Sequence, residues 1–255
     1  MNVRRAAGLA MAMGMLGSCG TSKPATIDRG AVAKLSDAQM RPIDDARTSE
    51  AHAVDQVASA KQAKTDAANQ VSVAKADVEV ANAEFKKAKA DLDAVTAQKA
   101  DNQSLAMARA AVDVAELKVK SQERRVTYLK DLADLAALRQ DAATAHLTTA
   151  QAATEKAKFD SLAAAGSTEV QNKQVDDYEE NLARAEATEA NVKKKLADSH
   201  LDAVTDFHKW QELVRKLKAA GVESPSAPLP SSSMDSSLVP VQAPLLAPGA
   251  PMGPR

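Results

Sequence analysis

VASAKQAKTDAANQVSVAKADVEVANAEFKKAKADLDAV, residues 57–95, repeats its apolar pattern every seven positions. Val57, Lys64, Val71, Val78, Phe85 and Leu92 hold one place in the repeat, and Ala60, Ala67, Ala74, Ala81, Ala88 and Val95 follow three residues behind each of them. Alternating steps of three and four put all these residues on one stripe of an α-helix, the a/d seam of a coiled coil. A strand would alternate every second residue instead. Alanine fills nearly every second seam position, so a neighbouring helix can approach to the short end of the usual ~8–10 Å axial spacing. Each such layer removes little apolar area from water, at ~25 cal/mol per Å². Stability must therefore come from many layers, helped by the high helix propensity of alanine.

The same character extends in both directions. Residues 43–224 contain no proline, and their glycines are Gly166 and, at the very end, Gly221. Eight of the ten prolines lie beyond residue 224. Glycine and proline are the common helix breakers, so their scarcity predicts very long helices. The chain has 55 alanines and only 2% aromatic residues, which is the composition of long helices rather than of a large globular core.

Three helical segments are expected, about residues 43–100, 104–165 and 168–220. Asp101, Asn102, Gln103 and Ser104 supply N-cap residue types, and the seam slips by one residue where Leu105 takes over from Ala106. A turn there competes with a continuous helix carrying a register shift. In the second segment Leu105, Val112, Val119 and Val126 alternate with Ala108, Ala115, Gln122 and Leu129, and Leu132, Leu135 and Leu138 widen the apolar face. The seam continues through Ala136, Ala143, Leu147, Ala150 and Ala157 to Phe159 and Leu162. Gly166 follows as C-terminal glycine and hairpin turn, with Ser167 or Thr168 capping the next helix. The third seam uses Val175, Leu182, Leu196, Trp210 and Leu217 with Tyr178, Ala185, Val192 and Leu213, and Gly221 ends it. Equal segments, each about 80 Å at the α-helical rise, predict an all-α fold: an elongated antiparallel helical hairpin or three-helix coiled-coil bundle with disordered termini.

The two ends differ from this body. Arg4 and Arg5 precede an uncharged run, residues 6–16, and then Leu16, Gly17, Ser18 and Cys19. A basic start, a short apolar stretch and small residues read as a secretory signal peptide over residues 1–18. That stretch is too short to span a bilayer, which takes ~20 residues. Leu16-Gly17-Ser18-Cys19 resembles the lipobox of bacterial lipoproteins. The resemblance implies cleavage before Cys19 and acylation of Cys19, with the protein held at the periplasmic face of the outer membrane; Gly20, rather than Asp, follows the cysteine. The competing reading is a secreted protein with an incidental thiol. Residues 19–42 are expected as a flexible tether with a helical turn near residues 31–40 and Pro42 in the first turn of the main helix. Residues 222–255, with eight prolines and seven serines, are expected as a disordered arm, either reaching a partner or passive.

Lys158, Phe159, Leu162, Gly166, Asp176, Asp177 and Tyr178 also resemble the hairpin tip of periplasmic adaptor proteins of efflux and secretion systems. That resemblance implies docking on an envelope protein partner through the turn. The β-rich regions of those adaptors have no counterpart here.

No chemistry-bearing constellation stands out. His200 and His208 are eight apart, whereas a helical metal pair needs three or four. Asp176-Asp177, Glu179-Glu180 and Lys193-Lys194-Lys195 read as solvated helix faces. Phe207 and Trp210, with Tyr178, read as core or as an aromatic docking spot. Basic and acidic residues number 33 and 34, intermixed, which gives no basic face for nucleic acid. The expectation is a protein with no catalytic residues, cofactor or metal, with the membrane as partner through its lipid and with coiled-coil faces open to self-association.

Overall fold

The computed structural model describes residues 26–171, 173–223 and 227–228. Cys19, the signal-peptide residues and most of the expected C-terminal arm lie outside these. The described residues are helical, with no strand among them. The helices are α1 (Arg29–Val32), α2 (Asp37–Ala97), α3 (Asn102–Ala164) and α4 (Val175–Ala219), with a short 3-10 helix at Thr168–Val170 between the last two. The chain forms two compact units. The first unit is Met1–Glu50 with Ala150–Ala185, and the second is Ala51–Thr149 with Glu186–Arg255.

Helix ends follow local chemistry. Ser36 starts α2: its carbonyl accepts from the Gln39 and Met40 amides, and the Gln39 side chain accepts from the Ser36 amide at 3.0 Å. This is half of a capping box. Leu35 and Met40 flank the cap and both pack on one apolar cluster, as a hydrophobic staple does. The helix thus begins six residues ahead of position 43. Pro42 lies inside it, past the first turn, and withholds the amide that the Ala38 carbonyl would receive.

The chain turns between Ala97 and Asn102 without glycine or proline. The Lys99 amide donates to Thr96 and the Ala100 amide to Val95, the two bonds of a Schellman motif. The motif needs a left-handed residue, and Lys99 takes it at φ 51°. Asp101 then caps α3, accepting from the Gln103 and Ser104 amides at 2.9 Å each. Those hydrogen bonds, with one from the Ser104 hydroxyl, hold its carboxyl below the usual carboxylate range. Gly166 (φ 69°) and Gly221 (φ 77°) end α3 and α4 with the same pair of bonds.

After Gly166 the third helix does not begin at once. Ser167 caps the 3-10 turn instead, accepting from Glu169. The turn buries Val170, and α4 starts at Val175. Val175 is 40% exposed and does not join the seam proposed for it, because it is the first residue of the helix. Asp176 and Asp177 in the first turn and Lys216 and Lys218 in the last suit the helix dipole.

In the second unit the heptad of residues 57–95 turns inward. Val71, Ala74 and Ala81 are buried; Val57, Ala60, Ala67, Val78, Phe85, Ala88, Leu92 and Val95 are half-buried; Lys64 alone is exposed. Helix α3 buries two adjacent stripes there: Gln122, Leu129, Ala136 and Ala143, and beside them Ser121, Tyr128, Leu135 and Ala142. One layer joins Val71 and Ala74 of α2, Tyr128 and Leu129 of α3, and Phe207 and Trp210 of α4. The next joins Leu135 and Ala142 to Leu196. A second stripe is what a helix with two neighbours requires.

In the first unit the segment expected as a tether is packed from residue 27 onward. Ile27, Ala31, Val32 and Ile43 share a cluster with Phe159, Leu162, Val170 and Tyr178. Asp28 caps α1 through its carboxylate on the Gly30 amide. Two long-range polar contacts hold the strand of chain before it. The Ile27 amide donates to Glu155 at 2.8 Å, and the Lys173 ammonium donates to the Thr26 carbonyl at 2.8 Å.

Candidate functional site

The residues singled out near Gly166 fall into two sets. Phe159, Leu162 and Tyr178 are buried, with the Phe159 and Tyr178 rings 4.8 Å apart. Lys158 is also largely covered and pairs with Glu155 at 2.5 Å. Gly166, Asp176 and Asp177 are exposed. A Cβ added at Gly166 would meet nothing within 4 Å. The three apolar and aromatic side chains that resemble an adaptor tip are therefore spent on holding residues 27–43, not presented to solvent. The Tyr178 hydroxyl is buried and has no hydrogen-bond partner among the described residues.

The aromatic grouping differs from the one expected. Phe207 and Trp210 are together, but their third ring is Tyr128 of α3, not Tyr178. Tyr128 lies parallel to Trp210 at 6.1 Å and tilted on Phe207 at 5.1 Å. Its ring is fully buried, and burial pushes the phenol pKa upward, so the hydroxyl stays protonated. That hydroxyl donates to the Pro228 carbonyl at 2.5 Å, and Ala227 packs on the same cluster. Ala227 and Pro228 thus rest on this cluster. Tyr128 could have been found from sequence by its seven-residue spacing from Ser121, Leu135 and Ala142, a stripe blurred by having one serine and one alanine.

Polar groups between α3 and α4 in the second unit are paired rather than poised. The Asp131 carboxyl is raised to about 6, by burial first and then by Asp206, Asp134 and Asp202. Asp206 moves the other way, held below the usual range chiefly by its hydrogen bond from Lys209, aided by Arg124. Across the same pair of helices His146 meets the buried Glu189 at 3.1 Å. Burial opposes the Glu189 charge, but hydrogen bonds from Lys193 and Thr149 and the charge of Lys193 outweigh it and keep the carboxyl low. His146 is therefore a partner in a structural pair. His200 keeps a buried Nε2 without a partner among the described residues.

Among the described residues no three His, Cys, Asp or Glu side chains group as metal ligands would. No helix among them is long and apolar enough to cross a membrane. Set against known proteins, the chain matches no family model, no curated protein and no solved structure.

Proposed function

We propose that the chain is a non-enzymatic lipoprotein of the bacterial envelope, anchored by an acylated Cys19 to the periplasmic face of the outer membrane. It acts there as a helical spacer or scaffold. Its body is an elongated antiparallel hairpin or three-helix coiled coil. The observation that carries this reading is the alanine seam of residues 57–95, inward-facing at every place but Lys64. Ion pairs between α2 and α3 support the antiparallel arrangement. Glu84 meets Lys118 and Asp77 meets Arg125, so seven residues back along one helix is seven onward along the other.

The anchor rests on the lipobox-like Leu16-Gly17-Ser18-Cys19. Two or more acyl chains, at ~0.8 kcal/mol per buried CH₂, suffice for stable attachment. The eight residues from Cys19 to Ile27 reach at most about 28 Å. Ile27 belongs to the same cluster as Phe159 and Leu162, so the Gly166 turn is tied close to the bilayer. This weighs against an adaptor-like role, in which a tip docks on a component far from its own anchor.

Cys19→Ala expressed in a Gram-negative host tests the reading. The expected result is loss of incorporated radiolabelled palmitate and transfer of the protein from the membrane to the soluble fraction. Unchanged membrane association would overturn the lipid anchor.

A further inference from the structure

We propose that the Tyr128–Phe207–Trp210 cluster is a receptor for an extended proline-bearing segment, and that the chain's own Ala227–Pro228 is its resident, exchangeable occupant.

The cluster has the two features such a receptor needs. Ala227 packs on the aromatic cluster, and proline beside it limits the entropy lost on docking. A buried donor fixes the segment by its backbone: the Tyr128 hydroxyl reaches the Pro228 carbonyl across a sequence separation of 100 residues. A proline carbonyl is well suited to that bond, because proline has no amide hydrogen of its own to satisfy at the site. Burial keeps the phenol protonated and so a donor through the ordinary pH range.

The occupant is held without being part of the helical core. Helix α4 closes at Gly221, which bonds back to Lys218 while Val222 bonds back to Leu217. Pro228 itself is exposed and Ala227 only half-buried. The segment contributes one hydrogen bond and a small apolar contact, which is a weak, reversible hold. Its reach is also limited. Trp210 lies about 16 Å back along the helix from Gly221, and the six residues 222–227 span about 20 Å when extended. Removing three of them leaves about 10 Å, too little to return.

Trp210 is the chain's one tryptophan, so its fluorescence reads the pocket directly. In the full chain acrylamide should quench Trp210 poorly. Deleting residues 224–226, or introducing Ala227→Asp, should raise the quenching constant several-fold at unchanged helical circular dichroism. A synthetic peptide of residues 222–232 added to the deletion variant should restore shielding in a saturable manner. Tyr128→Phe placed in that variant should bind the peptide about fivefold more weakly, the size of one neutral hydrogen bond. Tyr128→Phe in the otherwise intact chain keeps every ring and guards against misfolding of the larger changes; it should give a smaller rise in quenching. Quenching that is the same in all variants as in the unaltered chain overturns the proposal. So does a peptide that leaves Trp210 exposed at every concentration. The proposal stands whether or not Cys19 is acylated.

Discussion

The chain has two tyrosines, one in each unit, and they use the same phenol in opposite ways. Tyr128 and Tyr178 are both buried, at 0% and 2% exposure, and each lies against a phenylalanine. Tyr128 gives its hydroxyl to a carbonyl from the C-terminal arm, whereas the Tyr178 hydroxyl has no partner among the described residues. Tyr128 therefore joins helices to a distant segment by a directional bond. Tyr178 serves as an apolar ring that fills space around the N-terminal segment. In a chain so poor in aromatics, each unit depends on its own small set of rings, because alanine layers bury too little to anchor a terminal segment.

The largest expected effects come from emptying each cluster in turn. Trp210→Ala and Phe159→Ala should each cost about 3–5 kcal/mol, the usual range for a buried aromatic cut to alanine, measured as a shift in the urea unfolding midpoint. Their local signatures should differ. Phe159→Ala removes the surface that covers Ile27, Ala31 and Val32, so trypsin should cut at Arg29 and Lys34 faster than in the unaltered chain. Trp210→Ala should leave those sites as slow as before. Equal acceleration by both variants would break the distinction between the clusters.

A finer comparison exchanges only the hydroxyls. Tyr128→Phe should destabilise by about 1 kcal/mol, the net value of a typical hydrogen bond. The exposed Pro228 carbonyl can turn to water, so no further penalty is expected. Tyr178→Phe should be neutral or stabilising by up to about 1–2 kcal/mol, because it removes a buried group that has lost its water and gained nothing. Opposite signs for the same chemical change are the sharpest form of the contrast. A loss at Tyr178 as large as that at Tyr128 would mean that its hydroxyl is satisfied.

The sequence carried some of these features plainly and hid others for physical reasons. The seam of residues 57–95 was legible because α2 buries a single stripe there, so its period is clean. Helix α3 buries two stripes side by side, and Ser121 and Gln122 lie among the buried positions, so Tyr128 was lost between them. The cluster around Ile27 and Val32 had no local signal at all. Those residues are buried by Phe159 and Tyr178, more than 120 positions further on. Likewise nothing in a proline- and serine-rich arm marks out Pro228 as the residue whose carbonyl meets Tyr128. The anchor proposed at Cys19 is the opposite case, an expectation that rests on four consecutive residues and lies outside the described part of the chain. Of the turns, Gly166 announced itself, while the turn at Lys99 was readable only in its second half, through Asp101.

Those two turns give the smallest predicted effects and a close control on the backbone argument. Gly166 and Lys99 occupy the same place in the same motif, at φ 69° and 51°. Gly166→Ala meets no atom within 4 Å, so its cost is conformational alone. The left-handed backbone costs an L-residue about 1–2 kcal/mol, and the stiffer unfolded chain returns part of that. The net loss should be about 1 kcal/mol. Lys99→Gly runs the same exchange backwards and should gain somewhat less than 1 kcal/mol, since the released strain is offset by a more flexible unfolded chain. Urea midpoints measured side by side should therefore move in opposite directions. If Lys99→Gly instead lowers the midpoint, the lysine side chain contributes more to the turn than its strained backbone costs, and glycine at Gly166 is a matter of reach rather than of φ.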